Sequence, residues 1–531
     1  MKRKTLIITL IMILLFNMTS SISIGQGFAY SEEIRVGLKY YFEEVPSLTL
    51  DNKSLLMGYI VGGQFVAEYE AVTTGKFYFE PATNRFLISV ESFGTFDEAH
   101  NQLDRIRTLG YNAYVGSVAT GIWKVYAGNV STESEINQIY NQINGVFGMT
   151  FESVTDNGLR TIVYYDGDYP MVFENSYSNI QFFTNDTRSG VPVLDLGKRS
   201  YRGRIEIGRY YNGGLTAINV VDMEDYLYGV LPSEMPTGWP IEALKAQAVA
   251  ARNYAVYYTS VNPKYRDKPY QIDDTVNSQV YKGYAIEELA ANQAIDSTAG
   301  VLIYYNDAVI PSYFFSTSGG HTESSENVWT GTVAYLKGVP DLYETDPYKE
   351  PWTTSFTSSS FNAVLNSKGV YIGDIESVNV TAYTDSERAQ AITIKGSLAS
   401  YTIEKETMRY WFGLYSRKFE IVQPGSSPNT SMQVMGADGT LATVDIKNAY
   451  VINGSGEVLQ ANIGDDQTLI MSANNIHSVP LIYGENGKFI FVGQGYGHGI
   501  GMSQSGAKGM AAAGFTYDEI LEYYYTGVEV R

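Results

Sequence analysis

Between Val221 and Tyr258 the chain reads VDMEDYLYGVLPSEMPTGWPIEALKAQAVAARNYAVYY, and prolines divide this run into a stiff loop and a helix. Pro232 and Pro236 fix their own φ angles, and Pro236 also pushes Met235 away from helical geometry. The spacing predicts that Glu234 is held in a defined extended loop. Pro240 suits the first position of a helix, and Ile241, Leu244, Ala248, Ala251, Tyr254, Ala255 and Tyr258 supply its buried stripe. Lys245 and Arg252 stand seven residues apart and share one face, with small Ala248 and Val249 between them. One acid beside two cations on a rigid scaffold is what a general-acid site for a polar substrate needs. Taken generically, the same residues are a solvated glutamate and the wet side of a helix.

Composition narrows the setting. With 531 residues and 44% hydrophobic content the chain has material for several cores, and about 150 residues per domain predicts three or four. A net charge of −20 argues against nucleic acid and anionic membrane surfaces, both of which favour basic patches. Cysteine is absent, which removes disulfides, thiolate metal ligands and thiol nucleophiles. The 44 tyrosines suit carbohydrate stacking, although sheet faces use the same residue.

Lys2, Arg3 and Lys4 precede an apolar run from Leu6 to Phe16, and polar then small residues follow up to Ala29. That run is shorter than the roughly 20 residues needed to span a bilayer. Residues 1–29 therefore read as an export signal, cleaved near Ala29 or retained as an anchor. The body of the protein is expected outside the cell membrane or in the wall, touching membrane only through an uncleaved N-terminus.

Further along, Ile34 to Leu38 and the alternating residues to about 75 predict strands of a β-rich main domain. Residues 84–146 differ in texture: a strand and turn, a helix over Asp97 to Leu109, two strands within Tyr111 to Val130, and a helix over Glu133 to Ile143. Short strands resume from Arg160, and residues 160–424 carry the signature helix, a helix over Ile286 to Thr298 and alternating strands from Ile375 to Ile403. Residues 425–480 are polar and turn-rich, with Asp438-Gly and Asn453-Gly hairpin signals; an inserted β-rich module and a decorated loop fit equally. In residues 481–531, glycines alternate from Gly493 to Gly501, opening backbone conformations closed to other residues and allowing close ligand approach. Thr516 and Glu519 form a capping box for the last helix.

Three long blocks then carry a resemblance. EDYLYGVLPSEMP with EALKAQAVAARNYA, SYFFSTSGGHTESSENVW (Ser312 to Trp329) and GQGYGHGIGMSQSGAKGMAAAGFTYDEILEYYYTGVEV (Gly493 to Val530) resemble, in order, the signature of the SpoIID/LytB family of bacterial cell-wall proteins. The resemblance implies an α+β fold: a β-rich SpoIID-type domain with packed helices, interrupted at 84–146 by an insert similar to a ferredoxin-like SPOR domain, which binds peptidoglycan glycan strands. An unrelated small α+β insert is the alternative. It also implies a lytic transglycosylase that cleaves the MurNAc–GlcNAc bond without water, with Glu234 as its single general acid and base. Lys245 and Arg252 match positions thought to hold substrate or stabilise charge, although Arg252 fits a buried structural ion pair as well. Ser316 and Thr322 are candidates for sugar hydrogen bonds. His321 and His498 are candidate substrate contacts whose chemistry also fits metal ligands, proton shuttles or plain loop residues. Met235, Trp239, Tyr226 and Tyr228 are available as a dry wall that raises the pKa of Glu234. Some relatives bind zinc through Cys and His near the positions of Asp274 to Tyr281; DTVNSQVY contains neither, so no metal or cofactor is expected.

The expected partners are peptidoglycan glycan strands, stripped of stem peptides if the insert is SPOR-like, and other wall-lytic proteins such as an amidase. A non-catalytic amidase enhancer, as in the LytB branch, is the competing expectation. A surface carbohydrate-binding or adhesive protein is a third, and requires Glu234 to be incidental.

Overall fold

Ile34 and Val36 point inward along the strand Glu33–Gly37, and their burial places it against Thr216–Asp222 in a seven-stranded sheet. The strand order is Ile272–Asp273, Glu33–Gly37, Thr216–Asp222, Arg204–Gly208, Gln181–Phe183, Ser54–Val61 and Gln64–Val72. All pairs are antiparallel except the edge pair, where Val36 lies beside Ile272 and Gly37 beside Asp273. This computed structural model describes residues 30–531 apart from 166–169, 176–178, 212, 346, 427–430, 436–440, 446–449, 453–457, 461–466, 472–475 and 481–483. The expected signal segment lies outside the described residues. The fold class is α+β.

A second sheet holds eight strands. Half of it comes from one contiguous run: Arg85–Ser89, helix Phe96–Arg107, Ala113–Ala119, Ile122–Val130, helix Glu133–Ile143 and Phe151–Val154. Its first strand lies between its third and its fourth, the βαββαβ pattern of ferredoxin-like units. Ala99, Leu103 and Ile106 on one helix and Ile136, Ile139 and Ile143 on the other are buried, so each helix lays an apolar stripe on the sheet. Thr95 and Thr132 cap the two helices, the latter in a full capping box with Glu135. The unit runs past residue 146, because Phe151–Val154 supplies its last strand. Its edge strand is also covered: Met171–Glu174 pairs in parallel with Ala113–Ala119 and joins the unit to Arg160–Tyr164, Phe77–Pro81 and Leu48–Leu50.

The helix Ile241–Val256 lies at the centre of the molecule. One side packs Ala243, Leu244, Ala248, Ala251 and Ala255 into the core beneath the sheets; the other packs Ala246, Val249 and Ala250 against Ile500, Ala507, Met510, Ile520 and Leu521. Helices Leu289–Asp296, Gln504–Ala512 and Tyr517–Tyr524 all pack on it. A buried stripe with a wet face was expected; burial instead extends all round from Ala246 to Val256, while Ile241 is 42% exposed. Alanines let neighbours approach on every side, and a helix apolar all round belongs in the interior.

A third core gathers Trp352, Phe361, Ile392, Phe412 and Phe491 around the strands Trp352–Thr357, Lys488–Gln494 and Lys418–Val422. The segment 425–480 leaves Lys418–Val422 and returns into its antiparallel partner Lys488–Gln494, so it interrupts a sheet at a hairpin position. Three antiparallel strand pairs are described within it; the Asp438-Gly and Asn453-Gly turns themselves lie outside the described residues.

Candidate functional site

Glu234 ends a single helical turn, Leu231–Glu234, which corrects the expectation of an extended loop. Pro232 sits in the first turn, where a missing N–H costs no hydrogen bond, and the pre-proline restriction falls on Met235 (φ −138°, ψ 135°). The N–H groups of Ser233 and Glu234 donate to Val230 O, that of Met235 to Leu231 O, and fully buried Leu231 and Met235 anchor the turn.

The Glu234 carboxyl is half-buried and receives the Val280 N–H on Oε1 at 3.1 Å. Its main-chain carbonyl accepts Gln504 Nε2 at 3.0 Å, and that amide also donates to Gln247 Oε1 on the central helix at 3.3 Å. Burial pushes the Glu234 carboxyl above the ordinary carboxylate range; the Val280 N–H and the charge of Lys282 oppose it without cancelling it. Ser233 Oγ and Gln247 Nε2 are buried with no hydrogen-bond partner among the described residues.

The cation acting on Glu234 is therefore Lys282, not Lys245 or Arg252. Lys245 pairs with Glu242 at 2.8 Å and lies 5.9 Å from the Tyr517 ring. Arg252 is fully buried, with both carboxylate oxygens of Glu224 at 2.8 and 2.6 Å and the carbonyls of Val301 and Ile295 around it. It forms a buried ion pair, the alternative that its sequence position left open. Of the expected dry wall, Tyr226 and Met235 are buried at the site, and the Tyr226 hydroxyl donates to Gln279. Tyr228 turns away to Asp296, and Trp239 lies under the Lys508 ammonium.

Val280 belongs to a loop that leaves the sheet edge at Asp273. Asp273 is fully buried, its Oδ1 accepting the Thr275 N–H and hydroxyl and its Oδ2 the Tyr265 hydroxyl. Gln279 Nε2 reaches Ala251 O on the central helix, and the Lys282 N–H reaches Gly229 O. The loop is thus sewn to both elements that flank Glu234.

The Ser316–Glu323 stretch approaches from the other side. Ser316 is half-buried, and its carbonyl accepts the Ser505 N–H beside Gln504, which brings it toward Glu234. Thr322 is fully buried, with its hydroxyl donating to Val339 O and accepting the Val339 N–H, so its one donated proton is spent on holding a turn. His321 Nδ1 lies 2.6 Å from Thr322 O. His498 Nδ1 accepts the Ile500 N–H, and its ring lies among Tyr313, Phe315 and Trp329. Burial, with Arg409 and Arg388 adding, pushes His498 down to about 3, so it stays neutral and does not serve as a cationic shuttle near neutrality. The two imidazoles are held separately. The glycine run also works inward: Gly501 has φ +77°, and a Cβ there would stand 2.1 Å from Tyr313 O, so the close approach is to the chain itself.

Three acids in or beside the signature blocks have protein partners. Asp222 caps Met223–Tyr228, Asp225 pairs with Arg202, and Glu326 pairs with Lys337. Burial would raise Glu323, yet Asn327, Ser386, Thr384 and the Ser324 N–H together hold it below the ordinary value. Sequence inspection missed Val280, Lys282, Gln504 and Asp273. The signal for Val280 lay in DTVNSQVY, a motif considered only for thiols and imidazoles.

Comparison with known proteins places these features in context. The family model described as stage II sporulation protein, SpoIID, matches residues 211–305, which include Glu234, the central helix and the Val280 loop. An uncharacterized protein of Brachyspira hyodysenteriae is 32% identical over 60% of this chain and 69% of its own length. The amidase enhancer of Bacillus subtilis is 30% identical over 57% of this chain, which spans 39% of that protein. Stage II sporulation protein D of Bacillus subtilis is 29% identical over 60% of this chain and 77% of its own length.

Proposed function

Because the chain belongs to the SpoIID family, we propose that it is an exported peptidoglycan lytic transglycosylase acting on glycan strands, most readily on those stripped of stem peptides. Membership supports a cell-wall role linked to sporulation; the chemistry is carried by the Glu234 carboxyl. Half-buried, it is shifted by desolvation toward the protonated form that a general acid needs. It donates that proton to the glycosidic oxygen as the bond from C1 breaks. The 6-hydroxyl oxygen of the same MurNAc then bonds to C1, and its proton returns to Glu234, giving an anhydro end with no water consumed. One carboxyl suffices for this sequence, whereas hydrolysis with a water requires a second acid. The other carboxylate near the Tyr226 and Tyr254 phenols, Asp273, is fully buried and bonded to Tyr265 and Thr275, which suits a structural role. Residues 85–154 are assigned to strand binding on the strength of their ferredoxin-like topology, and the N-terminal 29 residues to export.

The name of the 30% identical relative favours a second reading, a wall-binding enhancer of an amidase. Digestion of peptide-free glycan strands by the native chain and by Glu234→Gln, with products read by mass spectrometry, separates the two. Anhydro-MurNAc ends from the native chain alone support the transglycosylase. Strand binding without cleavage by either supports the enhancer, and reducing ends require a second acid and a water.

A further inference from the structure

Lys264 is a half-buried lysine 30 residues past Glu234 in sequence. Its ammonium donates to the Tyr254 hydroxyl on the central helix at 3.2 Å and to the carbonyl of Asn277 at the tip of the Val280 loop. The rings of Tyr254, Tyr258 and Tyr265 surround it at 5.8, 5.5 and 5.9 Å. Its neighbour Tyr265 holds the base of the same loop through Asp273 at 2.7 Å. Two consecutive side chains thus grip the base and the tip of the loop that presents the Val280 N–H to Glu234.

We propose that Lys264 is a positioning residue for the Glu234 site: its ammonium clamps the loop 273–281 to the central helix and so keeps the Val280 N–H on the Glu234 carboxylate. The inference rests on Glu234 being the working acid. The ammonium is chosen for reach and multiplicity, since it serves a hydroxyl and a carbonyl at once while three aromatic faces stabilise its charge. Burial lowers its proton affinity, and Asp273 opposes that change. The groups facing Lys264 are Asp273, Tyr254, Tyr258 and Tyr265, and those acting with Glu234 are Lys282, Tyr226 and Tyr254. The Val280 N–H is a cause that lowers Glu234, so losing that one bond while the site stays closed to water raises the carboxyl.

The test titrates the Glu234 carboxyl by ¹³C NMR in the full chain labelled at glutamate carboxyls, with Glu234→Gln assigning the resonance. Lys264→Met is expected to move the midpoint up by about one pH unit and to lower kcat about tenfold, since misplaced catalytic groups lose rate steeply. Lys264→Arg restores both, and Tyr254→Phe, which keeps the ammonium but removes its anchor, moves the midpoint upward by less. A Lys264→Met chain with lowered Tm and an unmoved midpoint overturns the proposal, leaving Lys264 a purely structural residue. An unmoved midpoint in Tyr254→Phe beside a moved one in Lys264→Met also overturns it, because the lysine then acts through its charge. If the native chain cleaves no strand yet the midpoint shifts as stated, the clamp stands and the transglycosylase reading falls.

Discussion

Glu234 and Glu323 are both glutamates withdrawn from water, and the protein treats them in opposite ways. Glu323 is 2% exposed, and four donors from Ser324, Asn327, Thr384 and Ser386 converge on its oxygens. Glu234 is half-buried and accepts the single Val280 N–H. Burial favours the neutral form in both, and the number of donors decides the outcome: one is held ionised and the other is raised toward protonation. A structural carboxylate and the proposed acid therefore differ in how completely the fold has satisfied them.

The largest test of this contrast is catalytic. Glu234→Gln is expected to lower strand cleavage about 10³-fold, the usual scale for losing a general acid, while Glu323→Gln leaves the chemistry of a correctly folded chain in place. Anhydro-product formation per folded molecule checks both. Stability should respond the other way. Glu323→Gln is expected to cost about 2 kcal/mol at neutral pH, because an amide cannot accept all four donors. Its native value lies below the unfolded one, so this stabilisation is present above the unfolded carboxylate pKa of about 4.3 and is lost as pH falls through the folded value. Chemical denaturation of both chains at neutral and acid pH should show the difference shrinking on acidification.

Ser386→Ala removes one of the four donors and is expected to cost about 1 kcal/mol, with a small rise in the Glu323 midpoint. A cost equal to that of Glu323→Gln would mean that the donors act as a single cooperative unit. The smallest effect returns to Glu234. Its folded value is raised, so the folded state binds more protons than the unfolded state between the two pKa values, and ionisation costs stability as pH rises. Glu234→Gln should therefore raise Tm by about 1–2 °C at neutral pH and not below about pH 4. A fall in Tm would place Glu234 with the structural acids.

Local patterns carried much of the fold. The helix Glu133–Ile143, the capping box of Thr516 with Glu519 and the strands from Ile375 onward follow from periodicity and end residues within one segment. Glu234 itself stood out because prolines flank it. Thr322 and Arg252 show what residue type leaves open: hydroxyls and guanidiniums look available in a sequence until their burial is known, and for Arg252 the structure favours the ion-pair alternative over a substrate contact. Both are fully buried and bonded, Thr322 to Val339 and Arg252 to Glu224.

What the sequence determined by itself was the family, the central helix and the identity of the candidate acid, since these rest on residue type and short-range order. Only the tertiary structure decided what that acid experiences. Val280 comes to Glu234 from 46 residues away and Gln504 from 270. The Lys264 ammonium reaches the loop tip from a separate segment. Proton affinity depends on the solvent removed and the dipoles brought close, and both are properties of packing between distant parts of the chain.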